Sequence, residues 1–499
     1  MHTKSLKIKE TFNSAVQNHQ KNNFQVAENL YREIIKVQPD HFESIFLLET
    51  LLAQTEKLNE AKEMLIKSIE IKPNNVDALN NLGNTLKKLG ELQKAINCYQ
   101  KVIEIQPNYA YTHNNLGAAF KELGEPQKAI NCYQKAIKLQ PSYVAAHKNL
   151  MQVLEKTNHE NELKHAISNA HALIKDNPII NLYEGILFSR NEKFNEAKNC
   201  LESITFGSKE LNSETLRVTV LAKCYDRIAD HDKAFNYFLK ANNLFPQSID
   251  AQSYDKNRFL QKINIRRNFF KKTKVNKWPS LKSSGKKLDP IFLIGFPRSG
   301  TTLLDTILNS HPMIEVIEEK NIMGKSISLM NELPNGELEG LKKIQDDQIK
   351  KVRNVYFDTR ELLVQNKDKS QLVIDKYPLN IVYVGEIVRI FPNAKFIISL
   401  RHPCDCVLSC FMQNFKLNDA MANFLNLDDS AHFYDAVMSL WNEYKSIFSI
   451  NFHEVKYENL IENLEPTVKS ILDFLELPWD NSVIEYTKTA KSKKRIRTP

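Results

Sequence analysis

Residues 295–302 read GFPRSGTT, a turn bracketed by glycines that follows the apolar run IFLI at 291–294 and leads into a helix. Strand, tight exit and helix start are the parts of an anion cradle. Gly295 permits the exit, Ser299 and Gly300 leave backbone N–H groups uncovered, and Thr301 and Thr302 open a helix whose positive end faces the anion. Such a turn holds a phosphate or a sulfate. Gly295 and Gly300 are separated by four residues, as in a nucleoside-triphosphatase loop, but that loop places Lys directly after its second glycine, followed by Ser/Thr for magnesium. Thr301 occupies the lysine position. The cation lies inside the turn as Arg298, whose planar fork fits a compact oxyanion. A sulfuryl group in transfer carries less negative charge than a phosphoryl group, so it has less need of a metal clamp.

Elements further along must bring partners to this turn. IFLI (291–294), QLVIDK (371–376), KFIISLR (395–401) and HEVKYE (453–458) are the strand expectations. Continuous apolar runs separated by helices imply a parallel sheet covered on both faces, and ligands of such sheets bind at the carboxyl ends of the strands. Arg298, Lys376, Arg401 and Tyr457 all fall at or just after those ends.

The N-terminal half has a different texture. Pro39, Pro73, Pro107 and Pro141 recur every 34 residues, as do Ala27, Ala61, Ala95 and Ala129. Each unit reads as two amphipathic helices, with Gly83 allowing close helix contact, Gly90 making the turn and Ala95 packing between helices. The pattern resembles tetratricopeptide repeats, most specifically over 80–141. Around Ala197 and Ala234 it continues in degenerate form, and KKTKVNKWPSLKSSGKKL, lacking any period, reads as a linker.

Composition sets outer limits. A chain of 499 residues with 42% hydrophobic and 25% charged residues is expected to form two or three globular domains. The formal charge of +9 is modest for this length, and no nucleic-acid partner is expected. Seven cysteines, an odd number without a framework, read as reduced structural thiols. No apolar stretch approaches the ~20 residues of a membrane span, and a cytoplasmic location is expected.

The segment RSGTTLLDTILNSHPMIEVIEE (298–319) resembles, without gaps, the tyrosylprotein sulfotransferases, and so do DKYP (375–378), IFPNAKFIISLRHPCDCVLSCF (390–411), KYENL and FLELPW. The turn itself resembles the 5'-phosphosulfate loop of sulfotransferases that use 3'-phosphoadenylyl sulfate (PAPS). The resemblance implies a PAPS donor, no metal, and a general base at Glu319, where a carboxylate takes the proton of an attacking hydroxyl. Without it, Glu315, Glu318 and Glu319 read first as a solvated acidic patch, the usual state of carboxylates. Lys376 and Arg298 would stabilise the transferring and leaving charges. Ser299, Gly300, Thr301 and Thr302 would hold the 5'-phosphosulfate. Arg401 and Ser409 resemble the 3'-phosphate site, although Gln413 stands where the family commonly has a basic residue. Tyr457 resembles a nucleotide contact, and His311 is a rival base read here as structural. Related enzymes continue past the position of RIRTP, which implies a shortened C-terminal cofactor segment, with Lys494, Arg495 and Arg497 left to touch the nucleotide.

The expected architecture is α + α/β: tetratricopeptide repeats over 1–157, degenerate helical repeats over 158–265, a basic linker over 266–288, and a P-loop-like α/β sulfotransferase domain with a parallel sheet over 289–499. The expected reaction moves a sulfuryl group to a hydroxyl acceptor, with tyrosine of a peptide or protein recruited by the repeats ahead of a carbohydrate or small molecule. A nucleotide kinase and a repeat scaffold with an inactive nucleotide-binding domain are the alternatives.

Overall fold

The computed structural model describes residues 2–248, 254–273, 275, 278, 289–334, 338–364 and 372–487. The chain separates into two compact units, Met1–Thr205 and Phe206–Pro499.

Unit one is a stack of six helix pairs: α1 (His2–Gln20) with α2 (Phe24–Val37), α3 (Phe42–Gln54) with α4 (Leu58–Ile71), α5 (Val76–Lys88) with α6 (Leu92–Ile105), α7 (Ala110–Leu123) with α8 (Pro126–Leu139), α9 (Val144–Lys156) with α10 (Glu160–Leu173), and α11 (Pro178–Arg190) with α12 (Phe194–Glu202). The repeat residues explain the pairing. A Cβ at Gly83 would lie 2.5 Å from the Tyr99 ring, and one at Gly117 would lie 2.7 Å from Tyr133. Glycine at this position therefore lets a buried tyrosine of the second helix press on the backbone of the first. Ala27, Ala61, Ala95 and Ala129 are fully buried between helices. The first helices α3, α5, α7, α9 and α11 approach one another more closely than do the second helices α4, α6, α8 and α10, as in a curved solenoid with the first helices inside.

Unit two opens with α13 (Leu211–Arg227), α14 (His231–Ser248) and α15 (Lys256–Lys272). The boundary between the two units falls inside the degenerate repeats expected over 158–265, and α13 and α14 bond to the α/β part: Asn242 Nδ2 donates to the Phe411 carbonyl at 2.9 Å, and Asn414 Nδ2 to Thr219 Oγ1 at 2.9 Å. The linker expected from 266 begins later, since α15 runs unbroken to Lys272. Three of its basic residues near this end are paired: buried Arg266 with buried Glu386 at 2.7 Å, and Arg267 and Lys271 with Glu443 at 2.6 and 3.0 Å. Most of the remaining linker lies outside the described residues, as do Lys494, Arg495 and Arg497.

There follow β1 (Ile291–Gly295), α16 (Thr301–Leu308), β2 (Ile314–Glu318), α17 (Ile322–Glu332), α18 (Asp346–Glu361), β3 (Leu372–Lys376), α19 (Val384–Ile390), β4 (Lys395–Leu400), α20 (Pro403–Phe411), α21 (Leu427–Ile447), β5 (Asn451–Lys456), α22 (Tyr457–Glu462) and α23 (Leu464–Leu475). The sheet is parallel throughout, in the order β2-β3-β1-β4-β5. Alternation along β1 divides two cores. Phe292 and Ile294 pack with Phe270, Tyr356, Ile387 and Trp441 on one face, while Ile291 and Leu293 pack with Leu304, Ile307, Leu460 and Ile471 on the other. Strand β2 was not among the expected strands. Its sequence IEVIE carries two acids on five residues, a pattern tolerated because the strand is at the edge.

No described helix is long and apolar enough to cross a membrane. All seven cysteines are free thiols.

Candidate active site

The turn after β1 is built by backbone conformation. Arg298 has φ 69° and Gly300 φ 97°, both left-handed, and the helix begins at Thr301. Gly300 is required twice over, since a Cβ there would also sit 2.4 Å from the Tyr457 ring. Ser399, the penultimate residue of β4, donates its hydroxyl to the Ser299 carbonyl at 2.7 Å and ties the turn to the sheet. The Ser299 hydroxyl is buried with no hydrogen-bond partner, a polar group that a bound anion would satisfy.

Two arginines meet at this turn. Arg298 Nε donates to Ser409 Oγ at 3.0 Å, and an Arg401 amine nitrogen lies 3.4 Å from the Arg298 carbonyl. The Arg401 guanidinium stacks 4.7 Å from the centre of the Tyr457 ring. Burial, with the neighbouring Arg401 charge adding to it, lowers the pKa of Arg298. Asp405 stands 3.5 Å from Arg401 Nε, at ion-pair distance but without hydrogen-bond geometry. No described carboxylate forms an ion pair with Arg298. Two like charges are thus held close together at a turn with an orphaned buried hydroxyl. Arg298, Ser299, Gly300, Thr301, Arg401, Ser409 and Tyr457 thus gather on one rim. Arg298, expected with Lys376 at the transferring and leaving charges, has its guanidinium turned toward Ser409.

Lys376 ends β3 with its side chain fully buried. Its ammonium lies 3.2 Å from Asp305, 3.1 Å from Glu319 and 3.4 Å from Glu318. Burial alone would lower its pKa, but the three carboxylates outweigh that and raise it. Glu319 follows β2 with φ 49°, and its N–H donates to the Lys376 carbonyl at 2.8 Å. The backbone bond extends the β2–β3 ladder by one residue and sets carboxylate and ammonium side by side. Glu319 is about two-fifths exposed, so one side of the pair is open to solvent. His311 is built into the scaffold: its Nδ1 accepts from the Met313 N–H at 3.2 Å, which leaves Nε2–H to donate to the Pro478 carbonyl at 3.0 Å.

Three residues that hold the site were not foreseen. Asp305, 1% exposed, is a lone acid in the apolar helix LLDTIL, and a buried charge of that kind demands a partner; this was a readable signal. Ser399 gave none. Glu458 accepts from the His402 N–H at 2.9 Å, which depresses its pKa and fixes the corner after Arg401.

Residues 290–481 match the sulfotransferase family, and tetratricopeptide repeats match at 50–75, 64–97, 83–124 and 110–143. An uncharacterised protein of Aquifex aeolicus is 30% identical over 280 residues, 54% of this chain and 36% of its own length. Protein-tyrosine sulfotransferase A of Caenorhabditis elegans is 26% identical over 203 residues (39% and 52%), and protein-tyrosine sulfotransferase 1 of Homo sapiens is 24% identical over 205 residues (40% and 55%). The chain spans about a third to just over half of the length of these curated relatives. It joins tetratricopeptide repeats to a domain of the sulfotransferase family.

Proposed function

We propose that residues 289–499 transfer a sulfuryl group from PAPS to a hydroxyl, with a tyrosine phenol of a peptide or protein as the acceptor. The observation that carries this reading is the juxtaposition of Glu319 and buried Lys376 on the same sheet rim as the Arg298/Arg401 anion cradle. The turn 299–302, with its orphaned Ser299 hydroxyl, fits the 5'-phosphosulfate, and Arg401 with Ser409 fits the 3'-phosphate. Arg298 reaches either group by rotation of its side chain from Ser409. PAPS supplies an activated sulfuryl group whose bridging S–O bond breaks as the acceptor oxygen bonds to sulfur. Glu319 takes the acceptor proton, and Lys376 with Arg298 offsets the charge that collects on the departing phosphate. Asp305 holds Lys376 charged and in place from below. The phenol is favoured over an aliphatic hydroxyl because its pKa of about 10 is within reach of a carboxylate base, and because relatives carry protein-tyrosine sulfotransferase names. The repeats would recruit the acceptor chain.

Calorimetry tests the donor. The full chain should bind adenosine 3',5'-bisphosphate in preference to ATP and without magnesium. Equal affinity for ATP, or binding abolished by a chelator, would sink the assignment.

A further inference from the structure

Among the described residues of unit one two glutamates are buried, Glu28 on α2 and Glu49 on α3. Their surroundings differ. Glu28 has two cations of its own chain, Arg32 and Lys57, each at 2.9 Å, and although burial alone would raise its pKa, the two hold it below the usual carboxylate range. Glu49 is 1% exposed, and its partners among the described residues are neutral: Asn81 Nδ2 donates to Oε1 at 2.9 Å, and Thr50 Oγ1 donates to the same oxygen at 3.1 Å. Burial pushes its carboxyl up to about 7, against the effect of those two bonds. Both bonds go to one oxygen, which leaves Oε2 to be satisfied from elsewhere.

The same carboxyl group borders a cleft of about 400 Å³ between α3 and α5, lined in part by Glu49, Thr50, Asn81, Asn84 and Lys88. Its polar groups are already committed in part. Asn81 spends an amide hydrogen on Glu49, so its Oδ1 remains an acceptor, and Tyr99 donates its hydroxyl to Asn84 Oδ1 at 2.7 Å, so the Asn84 amide hydrogens remain donors. Lys88, the cation among the lining residues, is half exposed and pairs with Glu56 at 3.0 Å.

We propose that this cleft binds a primary ammonium group, with the Glu49 carboxylate as its counter-ion and the Asn81 carboxamide oxygen as a second acceptor. A carboxylate withdrawn from water is costly unless a cation or several donors offset it, and here the described residues supply two neutral donors. A hard divalent metal would want six or more oxygens. An ammonium wants three acceptors, and the methylene stem behind it can lie along Ala53, which also lines the cleft. The amine is either a free one or the side chain of a lysine on another protein, since the group recognised is the same.

Saturation-transfer NMR on the full chain reads such binding directly. The probes are butylammonium, a capped tripeptide with lysine between two glycines, and the same tripeptide with its lysine acetylated. Both amines stay charged between about pH 6 and 8, whereas the Glu49 carboxyl passes from mostly protonated to mostly ionised, so their affinity should rise about tenfold over that interval. Glu49→Gln keeps the shape and an acceptor oxygen; it should weaken both amines about tenfold or more at pH 8 and abolish the rise with pH. The other titratable groups at the cleft are Glu56, Lys88 and His19, whose Nε2 lies 3.1 Å from Gln54 Oε1, and the glutamine variant separates their effect from that of Glu49. Lys88→Gln, an exposed change that spares the fold, should strengthen binding about two- to threefold. The acetylated peptide should not bind, and whichever amine binds more tightly names the source, free or protein-borne. Absence of saturable binding by either amine at pH 8, equal binding of the acetylated peptide, or affinities unchanged in both Glu49→Gln and Lys88→Gln would overturn the inference. The readout is binding in unit one, so a chain with no sulfuryl-transfer activity would overturn only the reading of 289–499.

Discussion

Lys121 in the repeats and Lys376 in the sheet domain are both withdrawn from water, yet their pKa values move in opposite directions. Around Lys121 other lysines gather, and burial with their repulsion lowers its pKa. Around Lys376 three carboxylates gather, and they raise its pKa against the effect of burial. In the first region like charges surround one ammonium, with Glu122 opposing them. The second sets three carboxylates around one ammonium, Glu319 among them. One residue type thus sits in opposite electrostatic surroundings in the two units, according to its neighbours.

The sharpest test of that contrast is Glu319→Ala. Turnover should fall by roughly 10²- to 10⁴-fold, as for a lost general base, with adenosine 3',5'-bisphosphate affinity nearly unchanged by calorimetry. Glu318→Ala, at the longer distance from Lys376, should do much less. The reverse order would exchange the roles of the two acids.

Stability comes next. Lys376→Ala strands Asp305 as an uncompensated buried charge and should cost about 3–5 kcal/mol in urea unfolding. Lys121→Met removes a repelled cation and should stay within about 0.5 kcal/mol of the parent. If the two variants lost similar stability, their surroundings would not differ as described.

Asp375, fully buried beside Lys376, gives a pH test of smaller size. Tyr356 donates to it at 3.2 Å, and burial pushes its carboxyl up to about 7. A folded-state pKa above the unfolded value of about 3.9 means that its contribution is fully present below that value and is lost as pH rises through 7. Asp375→Asn should therefore gain stability relative to the parent at pH 8, by about 1–3 kcal/mol, and lose that advantage near pH 4. Thermal unfolding at the two pH values measures it. A gain at pH 4 only would reverse the sign assigned to the group.

The smallest effect concerns the cradle. Tyr457→Ala removes the ring that packs on Gly300 and Arg401 and should weaken adenosine 3',5'-bisphosphate by about three- to tenfold, with turnover at saturating donor little changed. A loss of turnover without a loss of affinity would move Tyr457 out of the nucleotide site.

The repeats were legible because their register is covalent: Pro and Ala every 34 residues dictate helix ends and helix contacts whatever lies outside. The turn 295–302 was legible for a similar reason, its glycines and Arg298 being local requirements. Strand β2 was not, since IEVIE has neither a continuous apolar run nor clean alternation, and an edge strand takes half its definition from its neighbour. The linker reading failed at Arg266 because a basic residue looks solvated until its buried partner, Glu386, comes from 120 positions away. Asp305 stood in plain view, but its meaning depended on Lys376 at the end of another strand.

The order of the strands carries a further consequence. Lys376, Arg298 and Arg401 extend from β3, β1 and β4, each hydrogen-bonded on both sides, whereas Glu319 and Tyr457 extend from β2 and β5, the two edges. Edge strands open at lower free energy than inner ones. Amide exchange should therefore be fastest at Glu319 and Tyr457, the positions proposed to meet the acceptor and the nucleotide, and slowest on the three inner strands. On the proposed function, sequence change along β2 and α17 would alter which hydroxyl is presented to Glu319 while the proposed grip on the donor stays fixed in the middle of the sheet.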